Sequence, residues 1–151
     1  MKISFDTNIA VHACNEASPK QPVAIGFLQS LALRMDVVVS EFMLVELYLK
    51  LRNAKIFREP MTAKEAASVC QGFRSNANWE LLNAGPEMDE VWVQAAKRDF
   101  AIRRIVDLRL GLSLVQHGVS DFATANTKDF QGIGFMRVWN PLVSITPMPL
   151  D

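Results

Sequence analysis

Cysteine and histidine are scarce, with two of each in 151 residues. Cys14 and Cys70 form no CxxC pair, and neither His12 nor His117 stands at zinc-finger spacing or beside a serine or cysteine that would suggest a triad. Thiolate zinc sites, a disulfide framework and Ser–His or Cys–His hydrolysis are thereby set aside, and both thiols read as buried packing groups. An excess of one charge is also missing, since Lys plus Arg and Asp plus Glu are both 16. Any contact with nucleic acid must then use a local patch rather than a global positive field. No apolar run reaches the ~18 residues of a membrane span, and no signal peptide or lipidation motif is present, which fits a cytoplasmic protein without a membrane partner. Repeats, low-complexity stretches and linkers are absent too, so one domain is expected.

Half of the residues are hydrophobic, enough for a real core. Short buried strands are expected at Met1–Phe5, Val37–Val39, Trp79–Leu82, Val119–Thr124 and Phe135–Trp139, with helices between them. A helix starting after Asp6-Thr7-Asn8 carries the apolar run from Ile9 to Cys14. A second spans about Val23 to Arg34, with Ile25, Leu28, Leu31 and Ala32 on one face. Ser40 caps a third, and Thr62 caps a fourth that runs to about Ser75. Glu87 to Arg104 reads as one long amphipathic helix. From Asp107 to His117 the leucines alternate as in a strand, but the length and Gly118 at the stop position favour a helix. Gly111 and Ser113 would let that helix lie close to a sheet. Gly132-Ile133-Gly134 is a turn, and the residues from Ser144 on read as irregular. Strands alternating with helices imply a parallel, right-handed α/β sandwich.

Asp6 stands at the end of the first strand, where an α/β sheet places its ligands. One reading is that it only caps the helix; a phosphate-transferring aspartate pair is disfavoured, because the residue two places on is Asn8. Glu46 lies among apolar neighbours on the third helix. An unpaired buried carboxylate would cost several kcal/mol, so it either reaches solvent or sits in a cleft, and the cleft is favoured. Lys50, Arg52, Lys55 and Arg58 follow as a basic cluster, which is either a solvated face or a phosphate patch. Arg103 and Arg104 stand just before Asp107 and could reach the cleft that it lines. Asp129 lies beyond the fourth strand, on the same rim as Asp6, and Glu46 and Asp107 on covering helices can complete a ring. Four carboxylates in one cleft repel each other unless a cation joins them. Hard oxygen donors suit Mg2+ or Mn2+, and the implied chemistry is phosphodiester hydrolysis. Thr124 and Asn126 would orient the carboxylates or hold waters.

The strand ending in Asp6-Thr7-Asn8, Ser40 with Glu46 in an apolar helix, Asp107 opening a helix that runs to His117-Gly118-Val119, the stretch Thr124-Ala125-Asn126-Thr127-Lys128-Asp129-Phe130, and Val138-Trp139-Asn140-Pro141 together resemble a PIN domain. More narrowly, they resemble the VapC toxins of bacterial type II toxin–antitoxin pairs. The likeness runs from Ile3 to Leu142, leaving 143–151 as a tail beyond a domain of residues 1–142. It implies an α/β fold, a PIN-like three-layer sandwich with a four- or five-stranded parallel sheet flanked by helices. It further implies a Mg2+-dependent endoribonuclease, a homodimer, and a cognate antitoxin that covers the acidic cleft. Asp6, Glu46 and Asp107 match the family's first three acids. The fourth place is held by Asn126 in register, with Asp129 as its substitute. Thr7, Asn8, Thr124 and Asn126 would support the acids, and Arg52, Lys55, Arg103 and Arg104 would meet RNA. Two other functions fit the residues: a PIN nuclease of RNA processing without an antitoxin, and a non-catalytic α/β interaction module whose acids are caps and surface charges.

Overall fold

The described residues, 2–124 and 126–140 of a computed structural model with the Trp139 side chain excepted, contain six α-helices, four strands of three residues each and one 3-10 helix. They fall into two compact units divided after Ile102. Pro141 and the tail 143–151 lie outside the described residues.

In the first unit the expected opening strand contracts to one parallel bridge. Ile3 N–H donates to the Asp36 carbonyl and Val38 N–H to the Ile3 carbonyl, both at 2.8 Å, so Ile3 pairs with Val37. Helix α1 (Thr7–Cys14) follows, with Asp6 as its N-cap. Helix α2 (Gln21–Leu31) has a proline in its first turn, where the missing N–H is harmless. It buries Ala24 and Leu31, whereas Ile25 is 37% exposed. The expected apolar face is thus only partly the inner one, and α2 packs chiefly on α1.

Strand β1 (Val38–Ser40) pairs in parallel with β2 (Glu80–Leu82), with Val38 opposite Glu80. The Ser40 hydroxyl oxygen accepts the Phe42 N–H at 3.2 Å, capping α3 (Glu41–Leu51) as the sequence predicts. Leu44, Leu47, Tyr48 and Leu51 of α3 have no exposed surface, and each such apolar side chain contributes about 1.5–3 kcal/mol by leaving water. Helix α4 (Ala63–Arg74) begins with a complete capping box between Thr62 and Glu65. Trp79 packs on Phe5 and Phe73, and its indole N–H donates to the Leu31 carbonyl at 3.0 Å, holding the end of α2 to the start of β2.

Helix α5 stops early, at Glu87–Ala95 rather than at Arg104. The Tyr48 hydroxyl donates to the carbonyl of its last residue, Ala95, at 2.7 Å, and Arg52 Nη1 donates to the Phe100 carbonyl in the turn beyond, also at 2.7 Å. Phe100 is buried from this turn, edge-on to Tyr48, instead of from a helix face.

The second unit opens with α6 (Arg104–Gln116), which ends at His117 and Gly118, the latter at φ +86°. Only glycine adopts that left-handed stop freely. Strand β3 (Asp121–Ala123) pairs in parallel with β4 (Arg137–Trp139). Between them lies a 3-10 helix, Thr127–Phe130. Gly111 does bring α6 close to a neighbour, but the neighbour is not a sheet. A Cβ there would stand 2.8 Å from Ile133 Cδ1 and 3.5 Å from Phe130 Cδ1. Phe122 packs on Phe130 and stacks on Phe135, closing this small core.

Candidate functional site

Asp6 and Glu46 are brought together because α1 packs on α3. Asp6 Oδ1 accepts the Thr7 N–H at 2.7 Å, so the residue does cap its helix. Thr7 is 1% exposed, and its hydroxyl points at Glu46 Oε2 in a long contact of 3.4 Å. One buried threonine therefore stands between two carboxylates from different helices. Asn8, next along, is exposed. The other oxygen of Glu46, Oε1, faces Lys50 Nζ at 3.1 Å.

Glu46 is not enclosed as its apolar neighbours suggested, for its side chain is 53% exposed. The buried acid of α3 is Glu41, which sequence reasoning passed over. Glu41 has no exposed surface; it accepts hydrogen bonds from Arg74 Nε and, at 3.1 Å, from the Trp92 indole N–H. Arg74 continues to Asp89 Oδ1 at 2.8 Å and to Gln71 Oε1 at 3.3 Å. The desolvation cost of Glu41 is thus offset by a charged and a neutral donor. No local signal marks it, because its partners come from α4 and α5.

In the second unit Asp107 lies half-buried in the first turn of α6, where the helix dipole favours a carboxylate. Gly111 is one turn further on the same face, and that face meets Phe130, the last residue of the 3-10 helix that carries Asp129. The Thr124 hydroxyl accepts the Asn126 N–H at 3.0 Å, and the Asn126 carbonyl accepts the Asp129 N–H at 3.1 Å. Thr124, Asn126 and Asp129 therefore belong to one hydrogen-bonded turn, with Asn126 and Asp129 both exposed.

The basic residues divide. Arg52 Nη1 is held by the Tyr48 hydroxyl oxygen at 2.9 Å as well as by the Phe100 carbonyl, and its guanidinium lies over the Tyr48 ring. Burial, only partly countered by Arg52, pushes the Tyr48 hydroxyl above its ordinary range. Lys55 and Arg103 are exposed, while Arg104 is half-buried, with Nε–H covered and without a hydrogen-bond partner among the described residues. Cys70 is buried as expected, its thiol raised by desolvation and donating to the Leu44 carbonyl at 3.3 Å; Cys14 is only half-buried.

Among the described residues, no three His, Cys, Asp or Glu side chains are grouped as a metal site. The donors that do come together, two carboxylates and a threonine hydroxyl around Thr7, are hard oxygens of the kind that Mg2+ and Mn2+ accept. No helix of the described residues is long and apolar enough to cross a membrane.

No family model matches the chain. It is 48% identical over 142 residues to Ribonuclease VapC24 of Mycobacterium tuberculosis strain CDC 1551 / Oshkosh, and equally to that of strain ATCC 25618 / H37Rv. Each match covers 94% of this chain and 98% of the relative. Identity at this level over nearly the whole of both chains places the chain: it belongs to the VapC ribonucleases of the PIN-domain family.

Proposed function

We propose that the protein is a Mg2+- or Mn2+-dependent endoribonuclease and the toxin of a toxin–antitoxin pair, with Asp6, Glu46, Asp107 and Asp129 as its hydrolytic carboxylates. The observation that carries this reading is the pairing of Asp6 with Glu46 through buried Thr7. The partner that this buried hydroxyl needs is a carboxylate from another helix, which sets Glu46 beside the cap at Asp6. Asp107 and the Thr124–Asn126–Asp129 turn support it from the second unit.

Each of these acids would serve as a cation ligand. When bound, the cation lowers the pKa of a ligated water and offsets charge gathering on the phosphate. The chain's own part is to orient and to take the proton. Thr7 fixes one oxygen of Glu46, Asn8 stands beside the cap, and Thr124 and Asn126 shape the turn that presents Asp129. A water oxygen would attack phosphorus as a carboxylate takes its proton, and the P–O bond to the leaving ribose would break, the leaving oxygen taking a proton from solvent water. Arg52, Lys55, Arg103 and Arg104 would contact RNA phosphates, Arg52 through the nitrogens that Tyr48 and Phe100 leave open.

The same reading carries a PIN-type sandwich around a four- or five-stranded sheet, supported by the parallel sense of every described pairing. It also carries a cytoplasmic location, a homodimer and a cognate antitoxin. Val23, Leu33 and Met35, exposed by 77%, 86% and 84%, are apolar surface of the kind that a protein partner covers.

Asp6→Asn and Asp107→Asn test the site. At position 6 asparagine caps as well as aspartate, and at position 107 only a helix-dipole contribution of about 0.3–1 kcal/mol is lost, so the fold is retained in both, while RNA cleavage with Mg2+ falls at least about a hundredfold. Undiminished cleavage by Asp107→Asn would remove that residue from the site. Growth arrest on expression alone, relieved by a co-encoded partner, separates a toxin from an RNA-processing nuclease.

A further inference from the structure

Lys50 is the cation ion-paired with Glu46 in the first unit, and its placement has two features. Its Nζ lies 3.1 Å from Glu46 Oε1, on the oxygen that Thr7 does not face. Its side chain is the more covered of the pair, 34% exposed against 53% for Glu46. The four-carbon stem is therefore laid along α3 with the ammonium delivered to the carboxylate.

We propose that Lys50 is a substrate-binding residue that Glu46 holds until a divalent cation arrives, after which its ammonium binds a phosphate oxygen of the RNA. This rests on the reading of Glu46 as a carboxylate that holds the cation. An ammonium and a divalent cation on the same carboxylate repel each other, so loading releases Lys50 from Oε1. A lysine ammonium is a compact charge with three rotatable donors on a flexible stem. The anion that enters this site is the phosphodiester, and a charge-assisted N–H to phosphate contact is the outlet open to the displaced group. The metal-free carboxylate and the bound RNA thus compete for one ammonium.

Competition gives two effects of opposite sign, which a merely structural role would not produce. Lys50→Met keeps the stem and removes the charge. Without RNA it should bind Mn2+ about twofold more tightly, since an exposed i, i+4 pair of this kind is lost as competitor. Toward RNA it should be weaker, with KM about tenfold higher and the loss falling on KM rather than kcat, because the contact is already made in the ground state. The slope of log affinity for single-stranded RNA against log salt should shrink by about 0.7, one phosphate contact. Lys50→Arg should restore the slope. Calorimetric titration with Mn2+, steady-state cleavage and salt-dependent RNA binding read all three. Unchanged KM and salt slope in Lys50→Met, or weakened Mn2+ binding, would overturn the proposal. Absence of both Mn2+ binding and cleavage in the unsubstituted protein would overturn the reading of the site itself, and with it this one; the two failures are told apart by which protein shows them.

Discussion

Glu41 and Glu46 share helix α3, yet they carry different kinds of consequence. Glu41 is wholly buried against Arg74 and Trp92, so removing its charged partner leaves a carboxylate with one neutral donor in the core. Arg74→Met is expected to cost about 3 kcal/mol in chemical denaturation. Glu46→Gln, an exposed side chain paired with Lys50, should change stability by less than about 0.5 kcal/mol while suppressing cleavage. If Glu46→Gln proved the more destabilising of the two, the division of roles would be reversed. The sequence points to Glu46 because its neighbours on α3 are apolar, and is silent on Glu41 because the groups that satisfy it come from α4 and α5.

At the scale of elements, the capping box of α4 offers a separate check. Thr62→Ala should lower stability by about 1 kcal/mol through the lost N-cap acceptor. The Thr62 backbone N–H, and then the bond to its side chain, hold the Glu65 carboxyl below the ordinary glutamate range. A carboxyl lowered in the folded state adds stability above its unfolded value, about 4.3, and loses it as pH falls through the lower folded value. Glu65→Gln should therefore flatten the acid limb of the stability–pH curve between those values, and an unchanged limb would deny the carboxylate that part. This helix was legible because its cap, its partner three residues on and its apolar spacing are all local. The early end of α5 is not written locally, for the converse reason: Tyr48 and Arg52 draw off the carbonyls of Ala95 and Phe100 from a distant helix.

For the molecule as a whole, the metal-dependent reading and a non-catalytic module differ in their linkage. A cation that binds only the folded protein stabilises it by about 2.7 kcal/mol at a hundred times its Kd, which in a chain of this size raises Tm by about 5–10 °C. Mn2+ or Mg2+ should give such a rise in the unsubstituted protein and much less in Asp107→Asn. A module with scattered acids would show neither.

What the sequence determined by itself is the alternation of short strands and helices, the caps at Ser40 and Thr62, the stop at Gly118, and the family. Each of these is written in residues a few places apart, or in motifs whose order survives without coordinates. Only the tertiary structure decided that Thr7 lies between Asp6 and Glu46, that Lys50 takes the free oxygen of Glu46 while Arg52 is tied to Tyr48 and Phe100, and that Glu41 is the acid sealed in the core. Those outcomes depend on which helices pack together and on how buried polar groups find their partners, and packing between distant segments leaves no periodicity to read.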